Sequence, residues 1–141
     1  MATRTAAAAQ ATAIPKSLRY GTVAVTSTFS IPAGQSISIT DVIQMIRVPA
    51  GATVVFLGVT STYVQAAIEV GDGLLTNRYI PVQSTSAAHA AHTFVAGSTN
   101  IPYTYSTDDT LDILATLVSV SSVAGAFYMT AIYTLDSVIE S

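Results

Sequence analysis

Cysteine and tryptophan are absent from the 141 residues, and lysine occurs once, as Lys16. Without cysteine there is no disulfide framework, no thiolate nucleophile and no Cys-based zinc site. Charge is scarce as well. Five basic and eight acidic side chains make up 9% of the chain, against about 25% in an ordinary soluble domain. Long apolar runs are also missing: Val123 to Leu135, the longest nearly apolar stretch, spans 13 residues with Thr130 inside it. A membrane-spanning helix needs ~20. The alanines from Ala6 to Ala9 lack the apolar core of a secretory signal, and Gln10 and Thr12 interrupt them. No Asn-x-Ser/Thr acceptor occurs, so no localisation is legible in these residues.

What is present argues for a folded chain. Half of it is hydrophobic, which excludes intrinsic disorder, and the apolar residues are spread among Ser, Thr and Gly. A monomer of this size exposes about 6,900 Å², so its charges stand roughly 530 Å² apart where an ordinary domain keeps one per ~200 Å². Two readings follow. Either Ser, Thr and Gln keep the surface soluble, or much of it is buried against copies of itself or a larger partner.

The first 20 residues carry Arg4, Lys16 and Arg19 and no acid, while the rest holds Arg47 and Arg78 against eight acids. The division predicts an extended N-terminal arm over 1–21 and a body over 22–141. Two readings stand: an untethered terminus, or an arm whose Ile14, Lys16, Leu18, Arg19 and Tyr20 mix apolar anchors with basic groups and dock on an adjacent acidic protein surface.

From Thr22 onward the period is that of β-strands. Val23, Val25 and Phe29 alternate with small polar residues, and so do Ile37 and Ile39. Thr53 to Val59 is apolar on both faces and reads as an interior strand. Further alternating sets run over Val64–Val70, Leu111–Leu117 and Phe127–Leu135. Ile31-Pro32-Ala33-Gly34 and Val48-Pro49-Ala50-Gly51 read as similar turns, with proline second and glycine fourth as in type I. Asp72-Gly73 and Asn100-Ile101-Pro102 mark others. Gln83 to Asn100 shows no strand period and reads as a long small-residue loop. Many short strands with turns between them predict an all-β fold, a single antiparallel β-sandwich or a barrel.

The inventory for chemistry is thin. His89 and His92, three apart, could face one side of a helical turn, but a catalytic zinc needs a third ligand and a base. Asp108, Asp109 and Asp112 are the densest acidic group. An alternating strand sends Asp108 and Asp109 to opposite faces, and the Asp-x-Asp-x-Asp-Gly calcium loop is absent, so they read as a solvated turn before Leu111. No Gly-x-Ser-x-Gly elbow, phosphate-binding glycine loop or Gly-x-Gly-x-x-Gly occurs. The acidic body argues against nucleic acid as a partner, and nothing points to a membrane, a metal or another cofactor. A non-enzymatic protein is expected.

Three segments resemble virion structural proteins of tailed bacteriophages: Asp41 to Val54; Val70-Gly71-Asp72-Gly73 followed by Asn77-Arg78-Tyr79-Ile80; and Asp108 to Ile113 with Ala124-Gly125-Ala126 and the closing strand to Tyr133. The order and spacing of these segments are similar to a capsid decoration, or cement, protein of the cyanophage kind. The resemblance implies a jelly-roll-like sandwich that forms a homotrimer on the outer surface of the capsid, bridges capsomers of the major capsid protein and stabilises the shell. It carries over no catalytic residue, and it leaves the arm least covered. Two other classes compete: a tail-associated or fibre module that binds a host glycan, for which Tyr63, Tyr79, Tyr103 and Tyr105 are available, and a small β-sandwich hydrolase or lyase built on the two histidines and Asp108/Asp109.

Overall fold

The computed structural model describes residues 2–6, 9, 21–63, 66–85, 90–96, 102–118 and 124–135. Nine strands run through the described residues: β1 (Thr3–Thr5), β2 (Gly21–Ile31), β3 (Val42–Val48), β4 (Ala52–Ser61), β5 (Ala66–Asp72), β6 (Ile80–Ser84), β7 (Ala90–Val95), β8 (Asp109–Val118) and β9 (Gly125–Leu135). They form two sheets, ordered β1-β3-β8-β5-β6 and β2-β9-β4-β7. The pairs are nested. β2 lies antiparallel to β9, β3 to β8, β4 to β7 and β5 to β6, which makes one long ribbon out of eight strands. The ribbon is rolled up and closed by β4–β9 and β5–β8. That is the jelly roll, the strand order that alternation alone does not distinguish from a plainer sandwich.

The period-2 pattern supplies the core. Phe127, Met129, Ala131, Tyr133 and Leu135 of β9 all point inward and are buried, as are Val54, Leu57 and Val59 of β4. Ile43, Ile113 and Val70 form a facing row across β3, β8 and β5. Each such side chain contributes about 2 kcal/mol of burial. A register shift between Gln44 and Ile46 in β3 lets the consecutive Met45 and Ile46 both enter the core. Tyr79 meets Phe94 edge-on at 5.0 Å, which ties the β5–β6 connection to β7 across the two layers.

Three local expectations are corrected. Gln83–Asn100, expected as a loop, contains the end of β6 and all of β7. Its Ala and Thr side chains hide the period, and the strand is set by its ladder with β4 from Phe56↔Val95 to Ser61↔Ala90. Conversely, Ile37 and Ile39 lie outside any strand. Ile37 is buried and Ile39 exposed, but Asp41 accepts the Ser38 N–H at 3.0 Å and closes a turn there. The two Pro-Ala-Gly turns begin one residue later than expected. Gln35 N–H bonds Pro32 C=O and Ala52 N–H bonds Pro49 C=O, which puts Gly34 and Gly51 third, each at φ 86°, as type II turns require.

The start of the chain lies on the body. β1 pairs parallel with β3, Thr3 opposite Val42 and Thr5 opposite Gln44. Arg4 reaches Asp41 at 3.3 Å and the Ser36 carbonyl at 3.1 Å, and Ala6 is buried in the core cluster. Ile14, Lys16, Leu18, Arg19 and Tyr20 lie outside the described residues.

Candidate functional site

The two sheets differ sharply in charge. β2, β4 and β9 contain no Asp, Glu, Lys or Arg on either face, and β7 adds only His92. Every charged side chain among the described residues sits in the other sheet or in a turn leading into it. Because Phe127, Met129 and Ala131 point inward, their neighbours point out, and the register aligns them into rows. One row reads Ala24, Ile132, Phe56, Val95; the next Thr26, Thr130, Gly58, Thr93; the next Thr28, Tyr128, Thr60, Ala91. A hollow of about 330 Å³ opens on this face, with Phe56, Gly58, Thr93 and Tyr128 among its lining residues. The face is a threonine and apolar grid of ~600 Å², from the strand lengths at ~3.3 Å per residue and ~4.8 Å per strand.

The second feature is a braced loop. Asp72, at the end of β5, accepts hydrogen bonds at one carboxylate oxygen from Leu74 N–H at 3.0 Å and Leu75 N–H at 2.8 Å. At the other it accepts from Arg78 Nε and, at 2.9 Å, from the Tyr105 hydroxyl. Tyr105 in turn meets the Tyr79 hydroxyl at 2.7 Å, and the Arg78 guanidinium stacks 3.6 Å over the Tyr103 ring. Burial would raise the Asp72 pKa, but the bonds from Arg78, Leu75, Tyr105 and Leu74 outweigh it and hold the carboxyl below its usual range. Desolvation pushes Tyr79 up to about 12, so both tyrosines stay neutral donors. The result is a rigid connection that leaves Leu74 77% exposed.

The same loop folds back over the outer face of its sheet. A Cβ on Gly71 would lie 2.0 Å from the Leu75 carbonyl oxygen, so only glycine admits this approach. The cross-strand neighbour of Gly71 is Asp112, and the loop covers it until only 7% remains exposed. Asp112 Oδ1 has no hydrogen-bond partner, while the Thr110 side chain gives the carboxylate one bond. Desolvation, with the nearby charges of Asp109 and Asp72, raises its pKa to about 7 against that bond. Beside it lies a pocket of about 250 Å³ between Val42 and Leu114 of the sheet and Gly73 and Thr76 of the loop.

The candidate residues of the sequence separate in the structure. Asp108 accepts the Ala50 N–H at 2.9 Å and lies 3.9 Å from Arg47; Asp109 accepts the Thr110 N–H at 2.8 Å. Asp109 opens β8, and Asp112 lies inside that strand, one residue past Leu111. His92 belongs to β7 and His89 lies outside the described residues. Among the described residues no three His, Asp or Glu come together as a metal site would require. Tyr63, Tyr79 and Tyr105, offered as glycan platforms, are buried, and Tyr103 is occupied by Arg78 and by Tyr105 at 4.9 Å. The uncharged strands were visible in the sequence as segments without Asp, Glu, Lys or Arg; that they form one sheet was not.

No protein-family model matches the chain, and no curated protein does either. Solved structures share its fold. A chain in the capsid of Ralstonia phage GP4 superposes with a TM-score of 0.73 at 13% identity, covering 98% of this chain and 100% of that one. A chain in the cyanophage Pam1 capsid asymmetric unit gives 0.68 at 15% identity over 89% and 92%. One in the acid-stable capsid of Helicobacter pylori bacteriophage KHP30 gives 0.61 at 16% over 87% and 94%. At these identities the likeness is one of fold.

Proposed function

We propose that this chain is a structural virion protein that decorates and stabilises the outer surface of a phage capsid, as a homotrimer bridging capsomers. The observation that carries the reading is the sheet β2-β9-β4-β7, whose three longest strands hold no charged residue. Free monomers keep a charged coat for solubility, and a face of ~600 Å² is close to the ~800 Å² per partner of a standard interface. In a three-fold ring a surface meets a different surface of its neighbour, so the grid packs against the capsid floor or another side of the next subunit. The shared fold with chains of three phage capsid structures supports the same reading. On the same likeness we infer a non-enzymatic, structural role.

Ile14, Lys16, Leu18, Arg19 and Tyr20 are the proposed contacts to the major capsid protein. Because Thr3–Thr5 form β1, substitution of these five residues tests the arm more cleanly than its deletion. Light scattering of the purified chain should give a mass three times 14.6 kDa, and the protein should co-sediment with undecorated capsids. The five-residue variant should remain trimeric and stay in the supernatant. A wild-type chain that is monomeric both in solution and on capsids refutes the trimer, and one that ignores capsids refutes the decoration role.

A further inference from the structure

Asp112 poses a problem that the fold does not solve for itself. It stands on the outer face of its sheet, between Gln44 on β3 and Gly71 on β5, where strand alternation sends polar side chains into water. The β5–β6 loop then roofs it over, and its Oδ1 is left without a partner. Of the buried side-chain oxygens left unpaired among the described residues, the others are the neutral hydroxyls of Ser27 and Tyr63. A buried carboxylate without a counter-charge is costly, and the charges that act on it, Asp109 and Asp72, are both negative. Glu69, two residues along β5, adds a third acid whose carboxylate already accepts the Thr76 hydroxyl. The cation of the neighbouring network, Arg78, is committed to Asp72.

The pocket at Asp112 defines what would satisfy it. Val42 and Leu114 supply its apolar lining, and Asp72, Gly73 and Thr76 complete it beside Asp112. One unpaired carboxylate oxygen, beside an Asp72 whose two oxygens already accept four hydrogen bonds, is too few for calcium or magnesium, which take six or more oxygens. An alkyl stem ending in a compact ammonium fits both parts: the stem lies along the aliphatic walls and the head meets the acid. Resting on the decoration reading, we propose that the Asp112 pocket is a seat for a lysine side chain presented by the capsid surface, so that docking supplies the missing counter-charge.

Two measurements test the seat. In the full chain with ¹³C-labelled aspartate, n-butylamine should lower the Asp112 titration midpoint by about one pH unit or more, as an adjacent cation does, and calcium chloride should not. In co-sedimentation at pH 8, Asp112→Asn should weaken capsid binding about tenfold or more, although the same substitution stabilises the free protein. That opposition is not expected of a merely structural residue. No butylammonium shift, or an equal shift with calcium, overturns the alkylammonium seat. A Lys16→Ala chain whose midpoint rises assigns the seat to the chain's own lysine and overturns the capsid source. If wild-type protein ignores capsids, the decoration reading and the capsid source fall together, and the butylamine titration decides the pocket by itself. If wild type and Asp112→Asn bind equally, the inference fails and the decoration reading stands.

Discussion

Replacing Asp112 with asparagine should make the protein more stable, and only above acidic pH. The folded-state pKa of Asp112 is about 7 against 3.8 for a free aspartate. Between those values the folded chain holds a proton that the unfolded chain has released, so stability falls as pH rises through the window and levels off above it. At ~1.36 kcal/mol per unit the whole effect is about 4 kcal/mol, a large share of the 5–15 kcal/mol of an ordinary domain. Asparagine mimics the protonated acid at every pH. Urea unfolding of both proteins at equal concentration from pH 4 to pH 8 should show the variant's advantage growing by about 4 kcal/mol. Asp72 has the opposite sign, its pKa lowered: its contribution is complete above 3.8 and is lost as pH falls through the folded value. Its folded-state titration lies below the pH 4–8 window, so Asp72 is ionised in both folded proteins throughout the comparison. An advantage that stays constant across the range would refute the reasoning, whatever its size, because a fixed offset reports only how the amide packs.

Tyr105→Phe should cost about 1–3 kcal/mol, since it strips one bond from the buried Asp72 and one from Tyr79; a denaturation midpoint equal to wild type would show that the network does not brace the loop. Gly71→Ala should cost about 3 kcal/mol or unseat the connection, because its methyl would meet the backbone of Leu75 and Thr76, and amide signals of residues 73–78 should shift in the variant alone. Thr28→Lys with Thr93→Lys places two charges at exposed positions of the uncharged sheet. Subunit stability should change by less than about 0.5 kcal/mol, while light scattering or co-sedimentation should show the assembly or its capsid binding lost; unchanged assembly and binding would mean that this face stays in water.

The sequence by itself determined the class of fold and the strands with a strong period. Phe127 to Leu135 and Leu111 to Leu117 could only be half-buried strands, because hydrophobic burial enforces alternation whatever the partner. It determined the scarcity of charge and the need for turns at the two Pro-Ala-Gly segments, though not which residue began each turn. β7 carries no legible period because Ala and Thr give little hydrophobic contrast, and its backbone bonds to β4 define the strand. Conversely, Ile37 and Ile39 had the right period, yet the Asp41 carboxylate captured the backbone into a turn. Tertiary structure alone decided which strands lie side by side, and so gathered the uncharged segments at 21–31, 52–61 and 125–135 into one continuous face. It also decided the state of Asp112. Alternation puts that side chain outside and predicts water around it, but Gly71 admits the β5–β6 loop across the sheet and excludes the water. Local pattern reports which way a side chain points; what lies over it depends on a loop from elsewhere in the chain.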